Sequence, residues 1–217
     1  MDLSTLRTRT REILNVKDTA SDLITESELN AWANMWQRDL AAYLEWPMLS
    51  ATATSVLGQR TYTLPSDFMQ LREVHFKVDG GDFKRLPVIT QNELVNWFGK
   101  EWFSDANGVP QVAYFADNAV LGFHYVPNSA NAGTDYIRVF YIGIPTAMSA
   151  DTDTPDLHES VHDIAPYFMA AMGFLKMKMH DQHNNMLKVY LEKRIQLKNS
   201  VTKVARELRG WRWGIDA

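Results

Sequence analysis

Between positions 51 and 144 the apolar residues stop recurring at helical intervals, and this change of period constrains the fold more than any other feature of the chain. Before it, two helices are expected. Leu3, Leu6, Ile13 and Leu14 share a helical face over residues 3–15, with Asp2 or Ser4 placed to cap it. Thr25-Glu26-Ser27-Glu28 has the capping-box pattern, and Leu29, Trp32, Met35, Trp36, Leu40, Tyr43 and Leu44 follow at helical spacing, with Pro47 as the stop. The polar link 18–21 between them predicts an antiparallel pair.

Inside the switched region, strands are expected at Val56-Leu57, 61–63, 69–78, 111–115, 119–126 and 136–144. The segments between them are rich in turn formers. Asp79-Gly80-Gly81-Asp82 is a hairpin signal, and Asn107-Gly108-Val109-Pro110, Asp117-Asn118 and 128–134 are further turns. One short helix interrupts at 90–103, with Thr90 as cap and Glu93 three residues on.

Helical spacing returns near Thr154, with Thr154 or Asp156 as cap and Pro155 at the first helical position. Leu157, Val161, Ile164, Phe168, Met172 and Leu175 form its apolar face. The polar run 180–185 predicts a turn or kink. A second helix then continues through Leu187, Leu191, Ile195, Leu197, Val201, Val204 and Leu208 to a stop at Gly210. The last four positions of that helix have heptad-like spacing.

The expected fold class is therefore α+β. An N-terminal helix pair and long C-terminal helices make a helical bundle, with an inserted β-rich subdomain and a C-terminal helical arm. The expected divisions are 1–48, 49–148 and 149–217, forming one folding unit.

Composition narrows the chemistry. No cysteine occurs among the 217 residues, which excludes a disulfide scaffold, a thiolate metal site and a cysteine nucleophile. No N-terminal apolar leader and no membrane-spanning run is visible, so a protein made inside a cell is expected. The net charge is −4, yet residues 176–212 carry ten Lys/Arg against three acids. A basic C-terminal segment on an acidic body predicts an interaction tail for an acidic partner.

The run Gly58-Gln59-Arg60-Thr61-Tyr62-Thr63-Leu64-Pro65-Ser66-Asp67-Phe68-Met69-Gln70-Leu71-Arg72-Glu73-Val74 reads as turn, strand, Leu-Pro turn and strand. It resembles the head-to-tail adaptor (connector) proteins of tailed bacteriophages, in which such a run follows an N-terminal helical pair. The order of elements is similar across nearly the whole chain, including the Ser-Ala-Asp-Thr-Asp-Thr-Pro link at 149–155 and the helical arm. The resemblance implies a structural virion protein with no catalytic residues and no cofactor. It also implies a dodecameric ring beneath the portal protein, which extends the DNA channel, passes genomic DNA without sequence-specific binding and carries a downstream tail or nozzle protein. Assembly in the bacterial host cytoplasm follows from the same resemblance.

Docking through the C-terminal arm assigns portal contacts to Leu197, Val201, Val204, Arg206, Leu208, Arg209, Trp211, Arg212 and Trp213. An amphipathic helix over 186–208 would bury its apolar residues, Leu187 and Leu191 among them. The two tryptophans flanking Arg212 are of the anchor type enriched at interfaces. Trp32 and Trp36 are expected in the core, whereas Trp97-Phe98 and Trp102-Phe103 fit either core or a contact patch.

Two other function classes compete. His158-Glu159-Ser160-Val161-His162 matches the zinc-hydrolase pattern His-Glu-x-x-His. Asp163 follows directly, Pro166 lies within a turn, Phe168 occupies the usual third-ligand position, and nothing selects Glu192 instead. An exposed first-turn polar face, with Glu159 favoured by the helix dipole, explains the same residues. His180 and His183 form a second such pair with only Asp181 beside them. Asp151-Thr152-Asp153 begins like a calcium loop but lacks its glycine and closing glutamate, and reads as a solvated link. A DNA-binding module would use Lys193, Arg194, Lys198 and Lys203, although the whole chain is acidic.

Overall fold

A computed structural model describes the backbone of residues 1–16, 23–78, 81–104 and 107–212, and the side chains within those ranges except 104 and 200–212. The chain is α+β and forms two compact units. One comprises Met1–Trp46 with Pro145–Ala217, and the other is Pro47–Ile144.

The first unit is helical. α1 (Leu3–Leu14) starts at Asp2, whose carboxylate accepts the Thr5 N–H, and ends with Asn15 in the left-handed conformation. The expected link 18–21 lies outside the described residues. α2 (Glu26–Leu44) starts with the expected capping box between Thr25 and Glu28 and ends at a left-handed Glu45, two residues before Pro47. The hydrogen bond from Lys176 foremost, then those from Thr25, hold the Glu28 carboxyl down at about 2.

Between Thr154 and Ala165 the expected α-helix does not form. Residues Glu159–Ile164 wind as a 3-10 helix capped by His158, and α4 proper (Ala165–Lys176) begins only where Pro166 can occupy its first turn. In the second unit the helix expected over 90–103 is shorter: α3 is Gln91–Phe98, capped by Thr90. α4 packs against α1, α2 and α5, so apolar residues surround it on most sides. Gly173 makes this possible: a Cβ there would lie 2.8 Å from a Leu14 methyl.

The last helix also departs from expectation. The turn falls at 177–179, where Lys178 is left-handed, and the polar run 180–185 is the first part of α5 (His180–Arg212). Gly210 lies inside this helix rather than ending it.

The second unit holds two four-stranded sheets over one core. The first has the order β1-β10-β3-β4 and is antiparallel throughout: β1 Met48–Ser55, β3 Phe68–Lys77, β4 Phe83–Leu86 and β10 Gly133–Gly143. The second has the order β2-β8-β7-β5, with β2 Thr61–Thr63, β5 Val88–Ile89, β7 Val112–Asp117 and β8 Val120–His124; β5 runs parallel to β7. A short parallel pair joins β6 (Asn107–Gly108) to β9 (Val126–Pro127). Phe76, Phe123 and Tyr62 meet edge to face between the sheets, with ring centroids 5.6–5.7 Å apart.

One strand expectation needs correction. Val56-Leu57 is not a strand but an exposed turn, and the first strand is Met48–Ser55 instead. β1 alternates half-buried Leu49, Ala51 and Ala53 with exposed Ser50, Thr52 and Thr54, a period-2 pattern written mostly in small residues. The hairpin expected at 79–82 does join β3 to β4, although its residues 79 and 80 lie outside the described ones. In the turn after β1, the Tyr62 hydroxyl accepts the Val56 N–H at 3.1 Å and donates to the Gln59 carbonyl at 3.1 Å.

Candidate docking surface

The basic C-terminal helix is the element with the strongest sequence-level indication of a partner, and its first half is tied firmly to α2. Tyr190 is 1% exposed, and its hydroxyl donates to Asp39 Oδ2 at 2.5 Å. One turn on, Arg194 donates to the same oxygen at 2.6 Å and lies 4.1 Å over the Tyr43 ring. A further turn on, Lys198 donates to the Tyr43 carbonyl at 3.2 Å, with its ammonium 4.6 Å from the same ring. The contact level climbs both helices together, so α5 runs parallel to α2. Burial, then the Asp39 carboxylate, pushes the Tyr190 phenol up, so it stays a donor at all ordinary pH. Tyr190→Phe is expected to lower stability by about 1–3 kcal/mol, because Asp39 loses one hydrogen bond to a charged acceptor. Thermal unfolding checks this, and an unchanged midpoint would contradict it.

The basic residues therefore divide. Lys193 lies 5.2 Å over the Tyr167 ring, while Arg194 and Lys198 bind α2. Three of the four cations that a DNA-binding helix would present are thus engaged on the protein's own helices. The side chain of Lys203 lies outside the described ones.

The apolar positions divide too. Leu187 and Leu197 are half-buried, whereas Leu191 is 38% and Ile195 51% exposed on the chain by itself. Tyr190 supplies the inward anchor instead, its ring edge to face with Phe168 at 5.2 Å. Leu191 and Ile195, one turn apart, leave an apolar stripe facing outward. Sequence spacing alone could not tell this stripe from the buried one, because each recurs at the same period.

Of the expected docking residues, Leu197 is described and half-buried. Val201, Val204, Arg206, Leu208, Arg209, Trp211 and Arg212 lie on the α5 backbone with side chains outside the described set, and Trp213 lies outside the described residues altogether. The helix backbone continues about 20 Å beyond Lys198, at 1.5 Å per residue.

The His-Glu-x-x-His run fails as a metal site for a geometric reason. In a 3-10 helix, residues three apart eclipse and residues four apart diverge, so His158 and His162 do not share a face. His158 Nδ1 pairs with the Ser160 hydroxyl at 2.9 Å. His162 is buried, not on an exposed polar face: Met1 N donates to its Nδ1 at 2.8 Å, and its Nε2 donates to the Leu157 carbonyl at 2.8 Å. His183 donates from Nδ1 to the Ala171 carbonyl at 2.8 Å. Among the described residues no group of three His, Asp or Glu side chains could hold a metal ion.

Both His162 contacts fit the neutral ring, and burial holds its imidazole below the ordinary value near 6.5. The unfolded chain takes up this proton near 6.5 and the folded one resists, so stability falls as pH drops through that value. The unfolding midpoint is expected to drop between pH 7.5 and 5.5, and His162→Gln to flatten that slope. An equal slope in the variant would refute the assignment.

The 149–155 link is largely exposed, as expected of a solvated link, and is also tied down by hydrogen bonds. Asp153 accepts the N–H groups of Ser149 and Ala150 at 2.7 and 2.8 Å. Leu3 and Ser4, at the start of α1, donate to the Asp153 and Asp151 carbonyls. Arg7, 6% exposed, pairs with the Asp151 carboxylate. Asn34 clamps Met148 through both its N–H and its carbonyl.

The paired aromatics of the second unit separate inward and outward. Phe98 stacks on the buried His124 at 3.8 Å, and Trp102 meets Tyr114 edge-on at 5.0 Å. Their neighbours Trp97 and Phe103 are 60% and 62% exposed. No helix among the described residues is long and apolar enough to cross a membrane.

The family model for the SU10 adaptor protein matches residues 1–209. No curated protein matches the chain.

Proposed function

The chain belongs to the SU10 adaptor protein family, and from that premise we propose that this phage adaptor protein joins head to tail as a ring under the portal. The carrying observation is that the family match spans 1–209, taking in both helical segments, the β-rich insertion and most of the arm. A protein with this role is a component of the virion and acts by forming interfaces, not by catalysis.

In this reading the helical bundle supplies the frame and the β-rich insertion its second domain. The ring is dodecameric, extends the DNA channel and presents a platform to the downstream tail or nozzle protein. α5 docks on the portal through its distal half, with Leu197, Val201, Val204, Arg206, Leu208, Arg209, Trp211, Arg212 and Trp213 as contacts. Two features support the arm as the docking element. Its proximal half is locked to α2 by Tyr190, Arg194 and Lys198, so a load on the distal half is transmitted to the body. Its outward stripe of Leu191 and Ile195 remains open to a partner.

DNA passes through such a ring without sequence readout, and the inward engagement of Lys193, Arg194 and Lys198 leaves fewer cations to hinder it. Electron microscopy of the protein mixed with the portal encoded beside it tests the proposal, with the protein alone as control. A ring of added density below the portal is the expected result. Absence of association from low to high salt would overturn it.

A further inference from the structure

The core of the second unit takes up one face of its first sheet, through Ile137 and Val139 of β10 and Val74 and Phe76 of β3. The alternate residues stand on the opposite face, where they are exposed or half-buried. The pairing register lines up Thr52, Arg138, His75 and Arg85, one from each strand, directly opposite one another on that outer face. At the usual strand spacing this row of hydrogen-bond donors spans about 14 Å across the sheet. Lys77 follows His75 along β3 on the same face, and Ser50 precedes Thr52 along β1.

The charge on this face is opposite in sign to that of the unit that carries it. Pro47–Ile144 has seven Lys/Arg and nine Asp/Glu. Of the residues paired in register on the outer face, Lys77, Arg85 and Arg138 are cationic and Glu73 alone is acidic. Glu73 is itself held by His75 Nε2 at 2.8 Å and lies 3.6 Å from an Arg85 nitrogen. The aromatic rings of the face serve as supports. The Arg138 guanidinium lies 4.3 Å over the Phe83 ring, the Lys77 ammonium 5.4 Å from the Tyr136 ring, and the His75 ring meets Phe140 edge to face at 5.1 Å. A cation held against a ring is ordered in advance and keeps N–H donors for an anion.

Ordered cations beside hydroxyls suit a phosphate backbone, which Arg, Lys, Ser and Thr contact without reading bases. Stacked bases would need bare ring faces, and a protein partner would need open aromatic anchors. Phe83 and Phe140 offer neither, because Arg138 and His75 occupy them. We infer that this face binds the phosphate backbone of duplex DNA, independently of sequence, through Arg138, Arg85 and Lys77 with the Thr52 and Ser50 hydroxyls beside them. Binding of this kind is weak at physiological salt and lets the duplex slide.

Fluorescence anisotropy of a short labelled duplex, titrated with the full chain, tests this. With three phosphates neutralised, affinity is expected to fall about 40-fold between 50 and 200 mM salt, and duplexes of unrelated sequence to bind alike within about twofold. The Arg85 side chain is 66% exposed, so Arg85→Gln removes a contact without disturbing the core. It is expected to reduce the fall to about 12-fold, and the double variant Lys77→Gln with Arg85→Gln to about threefold. Lys188→Gln, on the exposed face of α5, is expected to leave the fall at about 40-fold. No binding at low salt, an unchanged salt dependence in the double variant, or a loss on Lys188→Gln equal to that on Arg85→Gln would overturn the inference. Tighter binding of single-stranded DNA, or of polyglutamate at equal charge, would assign the face to stacked bases or to an acidic protein and overturn it as well. None of these readouts involves the portal, so the adaptor reading is tested separately.

Discussion

Deleting residues 209–217 is expected to leave the unfolding midpoint within about 2 °C of the full chain and to weaken portal attachment by about 30- to 1000-fold. The first half of this result follows from where α5 is held. Tyr190, Arg194 and Lys198 make its contacts with α2, and all three precede the cut. Surface changes away from such contacts stay within about 0.5 kcal/mol, or about 2 °C for a chain of this size. The second half follows from the residues removed. Arg209, Trp211, Arg212 and Trp213 are of the types that dominate interface energetics, and a buried anchor of this kind contributes about 2–4 kcal/mol. Binding measured against immobilised portal at several salt concentrations separates anchor from charge. If the loss comes from tryptophan burial, it persists at high salt; if from arginine charge, it shrinks. Attachment within threefold of the full chain would end the proposal that the tail is the anchor, while leaving the ring to be explained by other contacts.

Trp36→Ala is expected to be the most damaging single truncation in the helical unit. Trp36 is fully buried on α2, where Leu40, Ala33 and Leu29 share its inward face, and its ring meets His162 edge-on at 6.4 Å. Replacing a buried tryptophan by alanine costs about 3–5 kcal/mol, from lost transfer energy and from the cavity left behind. For a chain of this size that lowers the midpoint by about 6–20 °C. Trp36→Phe is the discriminating control. Trp36 Nε1 is buried and has no hydrogen-bond partner among the described residues, so phenylalanine gives up ring volume but also removes an unsatisfied donor. Calorimetry should show the phenylalanine variant losing less than half as much as the alanine variant. Equal losses would mean that the indole N–H is satisfied in solution, and a shift under 2 °C for alanine would contradict the burial itself.

The parts legible from residues alone share a property: their signal is local. Thr25 with Glu28 and Thr90 with Glu93 form capping boxes where the spacing predicts them, because each involves one turn of chain. The stretch of strand period expected from 51 to 144 also holds, as strands from Met48 to Gly143, since side-chain alternation follows directly from backbone geometry, whereas the helix expected from Thr154 begins only at Ala165. The Leu-Pro turn between β2 and β3 falls where Pro65 and Asp67 place it, closed by the Phe68 N–H on the Pro65 carbonyl at 3.0 Å.

The misread parts depend on what stands opposite. β1 was hidden because its inward residues are mainly alanines, whose burial is set by β10 and the second sheet rather than by their own hydrophobicity. Val56-Leu57 has the apolar character of a strand and is an exposed turn, since that character does not reveal which strand, if any, lies beside it. Residues 159–164 carry helical spacing yet wind as a 3-10 helix, with the buried His162 held by Leu157 and Met1 from outside the turn. Along α5 the apolar residues declared an amphipathic helix, but which stripe faces inward was settled by Asp39 and Tyr43 on α2. Hydrogen bonds and ring contacts from those two residues draw Tyr190 and Arg194 inward and turn Leu191 and Ile195 to solvent. Periodicity records that a helix has faces; the helices standing against it, α4 directly before it and α2 more than 140 residues earlier in the chain, determine which of them is buried.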